Sequence, residues 1–350
     1  GSREDSQSYF LGGSHVGWMA IGASLFASNI SAEHFIGLAG TGSASGLAVG
    51  QFEWLACIIL LILGWLFVPF YLKTGVFTMP EFLEKRFNRA CRTYLASVSL
   101  LAYVFTKISV SVYAGALVLN AILGWNIWVS ATLLIVATGV YTLFGGLRAV
   151  IYTDFLQAGI LIAGGFLLTY LAIQEVGGVS RLLSQTPSGY LNLWKPSSHP
   201  DFPWTGVLFG APILGIWYWC TDQMIVQRTL AAKNLDHARK ATIFAGFLKL
   251  LPVFILVLPG LAGHVLYPDL APDKMYITLV NTLLPVGIKG LVIAGLLASL
   301  MSSLSSVFNS ASTLVAMDFY RRYKPEAQEK ELVRAGQMAT IVMVVMGLLW

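Results

Sequence analysis

The chain has 350 residues, 56% hydrophobic and 11% charged, with a formal net charge of +5. Soluble domains carry about a quarter charged residues, so the composition excludes a water-soluble globule and, more firmly, a disordered chain. At roughly 20 residues per span, this length holds about nine or ten membrane helices with short loops and no large separate soluble domain. Cys57, Cys91 and Cys220 lack CxxC spacing and supply neither a disulfide framework nor a metal framework. No signal peptide is visible. The chain starts on Gly1 and stops on Trp350 inside an apolar run, so the length is expected to be that of a cut from a longer protein.

Apolar stretches fall at 15–38, 47–71, 94–123, 127–144, 151–174, 204–221, 241–267, 277–317 and 332–350. Pro285 and Gly287 are expected to divide the eighth into a short outer piece and a span proper near 288–317. Strict alternation is absent, so the predicted fold class is an all-α polytopic membrane protein rather than a β-barrel. Placing the start of the first stretch in the cytoplasm puts 16 of the 22 Lys and Arg on that side. These are Arg3, five residues in the 72–93 loop, Arg148, four in the 228–240 loop and five in the 321–334 loop. Only Arg181, Lys195, Lys274 and Lys289 fall outside. The bias orients the chain by the positive-inside rule, and explains the basic charge without nucleic acid as a partner.

Ionisable groups at membrane depth mark pathways or sites by default. The first stretch holds Ser28, Asn29, Ser31, Glu33 and His34, too many polar residues for a continuous lipid-facing helix. A broken helix is predicted there. Its freed carbonyls, for instance of Ala27 and Ile30, would face a cavity and suit a small cation. Glu53, near the outer end of the second stretch, fits either an interfacial belt beside Trp54 or the same cavity. Lys107 in the third stretch calls for an ion pair or a carbonyl contact. Asp154 would cap its helix, pair with Arg148 or serve a cation route. In the sixth stretch Gly206, Gly210, Pro212 and Gly215 are expected to interrupt the helix before Trp217, Tyr218 and Trp219. Paired breaks in the first and sixth spans point to an inverted-repeat transporter with a midplane site, and aromatics suit the apolar faces of a sugar. Lys249 either snorkels or reaches a carboxylate or a hydroxylated ligand. In the eighth stretch Ser299, Ser302, Ser303 and Ser306 share one helix face. Uncharged oxygens of that kind suit a monovalent cation better than a divalent one.

SLFASNISAEHFIGLAGTG, GQFEW, GVFTMPEFLEKRF, FTKIS, GGLRAVIYTDFLQ, WYWCTDQMIVQR, FLKLLP and ASLMSSLSSVFNSASTLVAMD closely resemble the sodium/solute symporter family, in its sodium/glucose cotransporter branch. The resemblance runs through nearly the whole chain. It implies a LeuT-type fold of two inverted five-helix repeats in a single transmembrane domain, the first repeat at about 14–174 and part of the second at about 204–350. It implies cotransported sodium, held by carbonyls of Ala27 and Ile30 and by Ser299, Ser302 and Ser303. Sugar contacts fall on Asn29, His34, Glu53, Trp219 and Lys249, with Tyr218 as inner gate and Trp217 beside it. Asp154 matches an acidic position on a second sodium route. Helices before the first span and from the tenth core span onward are expected to lie outside these residues. Gly215 stands where mammalian members carry a small hydroxyl residue, so one hydroxyl contact to the sugar is expected to be lost, and the short cysteine-free loop at 262–287 resembles a bacterial version.

The expectation is a sodium-coupled symporter for a hexose, multi-pass in the plasma or inner membrane. Rivals are a symporter for myo-inositol, another polyol, sialic acid or an amino acid, and a sodium-permeable channel or sensor on the same fold. An enzyme built on His34 with Glu33 or Glu53 is disfavoured, because HExxH is absent and no second catalytic histidine lies at membrane depth with a matching carboxylate.

Overall fold

The computed structural model describes residues 6–349, apart from the side chains of residues 7, 14 and 32; Arg3 and Trp350 lie outside it. Helices occupy all nine predicted stretches. A short helix α1 (Ser6–Leu11) precedes α2 (Trp18–Asn29) and α3 (Ala32–Ser45). Next come α4 (Gly50–Ile62), which runs on through a wide turn to Thr74, and the interfacial α5 (Met79–Arg86). The third span is α6 (Arg89–Leu123). The fourth and fifth are one helical run, α7 (Ile127–Val176), bent where Gly146 takes φ 59° and ψ −173°. After the loop that follows α7 come α8 (Gly206–Thr221), α9 (Gln223–Leu230) and α10 (Leu235–Leu266). As anticipated, Pro285 separates a short α11 (Met275–Leu283) from α12 (Val286–Tyr323), and α13 (Glu329–Leu349) follows.

Six helices among the described residues are long and apolar enough to cross a membrane. The most enclosed is α12, 67% buried over its apolar window, against 33% for α6, α7 and α13. Its serines therefore face protein, whereas Trp128, Phe144 and Leu156 of α7 stay exposed, as lipid-facing residues should. Helices α2, α7 and α12 pack on one another, and α2 also packs along α10.

The first break falls where the sequence placed it. Ser28 and Asn29 turn their side chains to Asp154 and to Tyr218 and Lys249, and α2 ends at Asn29. Ile30 and Ser31 are extended (φ −78°, ψ 110° and φ −125°, ψ −176°) before α3 begins at Ala32. The second break corrects the expectation. Gly206, Gly210, Pro212 and Gly215 do not interrupt α8, which passes them in helical and wide-turn geometry. The chain breaks at Asp222 (φ −71°, ψ 129°), whose carboxylate caps α9 by accepting from the Met224 N–H at 2.8 Å. Pro212 lies inside α8, directly after its wide turn at Gly206–Gly210. A second correction follows. The region assigned to a 228–240 loop begins inside α9, and Arg228 is buried with 1% exposure. Removing it from the basic side leaves 15 residues against four.

The loop between α7 and α8 is pinned at Gly46, which has φ 79° and ψ −150°, a region essentially reserved for glycine. An added Cβ would lie 2.2 Å from the Tyr190 carbonyl oxygen, which itself accepts from the Leu47 N–H at 2.8 Å. Gly46→Ala is expected to cost at least about 1–3 kcal/mol. Thermal unfolding of the purified protein checks this, and an unchanged transition would contradict the tight turn at Gly46.

Candidate functional site

The end of α2 leaves its last carbonyls without helical partners. The Ser31 N–H turns to His34 Nδ1 at 3.4 Å instead of reaching back to Ala27. Helix α12 supplies hydroxyls in their place. Ser299 Oγ donates to the Ile30 carbonyl and Ser303 Oγ to the Ser28 carbonyl, the latter at 3.4 Å. The break in α2 and the serine face of α12 are thus in direct contact. Ser302 Oγ faces a different group, donating to Asp154 Oδ1.

Asp154 is fully buried and neither caps a helix nor pairs with Arg148, which is exposed. Its Oδ2 accepts from Ser24 at 2.5 Å and Ser28 at 3.1 Å and lies 3.4 Å from Arg228 Nη2. Arg228 Nε also donates to Ser24 Oγ at 2.8 Å, and Nη2 donates to Ser306 Oγ. The result is a buried polar knot joining α2, α7, α9 and α12 immediately beside the serine face. Sequence reasoning missed Arg228. The available signal was Asp222, a residue suited to start a helix that would then run past Arg228.

On the other side of Asn29, Lys249 forms the centre of a second cluster. Its Nζ donates to Asn29 Oδ1 at 2.5 Å and to Glu53 Oε2, and it sits 5.6 Å from the centre of the Trp219 ring. Glu53 is buried rather than interfacial, and its Oε1 lies 3.9 Å from His34 Nε2. Lys249 is 1% exposed, so it does not snorkel. Glu53, Trp219, Lys249, Asn29, Trp217 and Tyr218 line a cleft of about 260 Å³. His34 opens instead on a neighbouring cavity of about 130 Å³, together with Ser31, Glu33, Lys107, Ser111 and Ser303. Asn29 and Tyr218 line both spaces, and the Asn29 amide donates to the Tyr218 hydroxyl across them at 3.2 Å. Tyr218 packs edge-to-face on Trp219, with centroids 5.2 Å apart. Trp217 is 45% exposed at the cleft edge.

Gly215, where the resemblance anticipated a lost hydroxyl contact, lies in this cleft wall beside Ile59. A Cβ there meets Ile59 Cδ1 at 2.2 Å, so a larger residue requires Ile59 to rotate. Lys107 has the ion pair its depth called for. Its Nζ lies 3.5 Å from Asp222 Oδ2 and 4.4 Å from the centre of the Tyr218 ring, and Tyr103 OH donates to Asp222 Oδ1 at 2.9 Å. The break before α9 is therefore tied to α6 and to the tyrosine that separates the two cavities.

Two spans broken at mid-depth, with polar groups gathered between them inside an apolar bundle, define a multi-pass membrane transporter architecture of the LeuT type. The chain belongs to the sodium:solute symporter family, whose profile matches residues 9–350. It is 45% identical over 385 aligned residues to sodium/glucose cotransporter 4 of Mus musculus, covering 100% of this chain and 56% of that protein. It is 44% identical to sodium/glucose cotransporter 1 of Sus scrofa (98% and 58% covered) and 43% identical to the sodium/myo-inositol cotransporter of Homo sapiens (100% and 55%). The chain thus spans a little over half the length of these relatives. Among solved structures, the substrate-bound outward-open state of a Na+-coupled sialic acid symporter superposes with a TM-score of 0.92 at 25% identity, covering 99% of this chain and 76% of that one. A nucleobase-cation-symport-1 family transporter shares the fold with a TM-score of 0.64 at 17% identity.

Proposed function

We propose that the protein is a sodium-coupled secondary active symporter for a neutral sugar or polyol. The observation that carries this reading is the contact between the broken end of α2 and the serine face of α12, one residue from a cleft built on Asn29, Glu53, Trp219 and Lys249. Sodium is the cotransported ion. Its ligands are the carbonyls of Ala27 and Ile30 and the hydroxyls of Ser299, Ser302 and Ser303. The sugar contacts Asn29, Glu53, Trp219 and Lys249, with His34 reaching the ligand from the adjoining cavity, Tyr218 as the inner gate and Trp217 beside it. Asp154 stands on a second sodium route, where Arg228 opposes its charge. The two broken spans belong to inverted repeats at about 14–174 and 204–350 of one transmembrane domain.

The charge balance of the cleft supports a neutral ligand. Glu53 and Lys249 offset each other, and a carboxylate substrate would meet Glu53 without a free cation beside it. Hydroxyls, by contrast, both accept from Lys249 and donate to Glu53, while Trp219 covers an apolar ring face. A polyol such as myo-inositol presents the same chemistry, and a myo-inositol cotransporter is among the relatives. Sodium bound across α2 and α12 favours one conformation only by its differential affinity, and the sugar then draws on the same shift. No covalent step is required. We place the protein in the plasma or inner membrane with the start of the first span cytoplasmic, on the 15-to-four distribution of basic residues.

Ser303→Ala is expected to raise the sodium concentration needed for half-maximal uptake by about tenfold while changing the sugar KM at saturating sodium little. One neutral ligand of a monovalent ion corresponds to roughly one hydrogen bond, on the order of 1 kcal/mol or slightly more. Sodium activation of uptake into proteoliposomes measures it. Unchanged activation would remove Ser303 from the ion site.

A further inference from the structure

A cavity of about 610 Å³ lies away from the transport site, between α5, the start of α6 and the end of α12. Its wall carries four arginines, Arg89, Arg92, Arg321 and Arg322, against two carboxylates, Glu81 and Glu84. Both carboxylates are already engaged. Glu81 accepts from the Phe77 N–H at 2.9 Å and lies 3.3 Å from Lys85, and Glu84 accepts from Arg92 Nη1 at 2.5 Å. Arg92 is further tied to Asp318 at 2.6 Å and to the Met317 carbonyl at 2.8 Å. The other three arginines have no carboxylate within ion-pair distance among the described residues. Arg321 approaches only the Met317 sulfur, at 4.0 Å, and Arg322 donates to the Thr93 hydroxyl. The hydrogen bond from Arg92, and then the field of Arg322 and Arg89, hold the Glu84 carboxyl below its ordinary range, so the cavity is electropositive. Guanidinium forks match phosphate oxygens in pairs.

The position of the cavity selects the kind of phosphate. Three membrane-length segments begin or end at it: one stops at Thr74, one starts at Arg89 and one stops at Tyr323. Phe87, Tyr94 and Tyr323 flank the arginines in sequence and are 67%, 72% and 91% exposed, as residues at headgroup depth are. We propose that this cavity binds the phosphate headgroup of an anionic phospholipid, which Arg89, Arg321 and Arg322 grip. A lipid held there bridges the α5–α6 corner to the end of the serine-bearing α12.

The test uses the purified protein, stripped of lipid in detergent and titrated separately with phosphatidylglycerol, phosphatidylcholine and inorganic phosphate. Native mass spectrometry reads lipid adducts and thermal shift reads stabilisation. One saturable phosphatidylglycerol adduct is expected, with phosphatidylcholine far weaker and inorganic phosphate failing to displace it. Juxtamembrane basic residues each change binding to an anionic lipid by about fivefold, so Arg89→Gln/Arg321→Gln/Arg322→Gln should weaken it by about a hundredfold. Arg321→Gln alone, at an exposed position that does not threaten folding, should weaken it by about fivefold. Unchanged binding in Arg321→Gln, equal affinity for phosphatidylcholine, or displacement by inorganic phosphate with equal stabilisation would each overturn the proposal.

Discussion

Lys249→Met is expected to abolish concentrative uptake and to destabilise the protein by about 3–5 kcal/mol, because it leaves the Glu53 carboxylate buried without a cation. The same substitution removes the donor to Asn29, which borders both cavities. Stability and transport should separate in the double variant Glu53→Gln/Lys249→Met. A buried pair replaced as a pair is often nearly neutral in stability, so its thermal transition should return close to that of the unsubstituted protein while uptake stays lost. A single Lys249→Met variant that unfolds normally and still accumulates sugar would show that the pair neither holds the cleft nor contacts the ligand.

Arg228→Met is expected to have a stability effect of the same size. Asp154 is fully buried, and without the guanidinium only the hydroxyls of Ser24, Ser28 and Ser302 would face its charge. Asp154→Asn alone should be comparably damaging, since it leaves the guanidinium of Arg228 buried and unpaired. The double variant should recover most of the loss, so the coupling energy should be at least the size of one single loss, roughly 3–5 kcal/mol, above the usual range of about 0.5–3 kcal/mol for residues in one network. Additive losses in denaturation experiments would mean that the two residues act independently. The folded double variant also reports on sodium. Ser302 loses its carboxylate acceptor there, so half-maximal activation should require more sodium. An unchanged sodium dependence would confine Asp154 to a structural role.

Much of the bundle is legible because apolar length alone locates membrane spans. The break at Ile30–Ser31 is legible because Ser28, Asn29 and Ser31 cannot all face lipid. The serine face of α12 follows from the spacing of Ser299, Ser302, Ser303 and Ser306 alone. The break at Asp222 is misread for a physical reason. Glycine and proline are common in membrane helices, where neighbouring groups satisfy the freed backbone, so Gly206, Gly210, Pro212 and Gly215 signal flexibility of packing and not a break. Arg228 is misread because a polar half-helix buried against other polar groups has the composition of a loop. The partnerships of Glu53 with Lys249 and of Lys107 with Asp222 span 196 and 115 positions. No local pattern encodes such distances; depth in the membrane shows only that each charge needs a partner.

The most direct test of sodium-coupled symport is uptake of a panel of labelled hexoses and polyols into proteoliposomes containing the intact protein, with an inward sodium gradient imposed and then collapsed. The account predicts accumulation of at least one neutral hexose or polyol above its external concentration, lost when the gradient is removed and lost again in Lys249→Met. Equilibration without accumulation under a maintained gradient, or uptake indifferent to sodium, would contradict it.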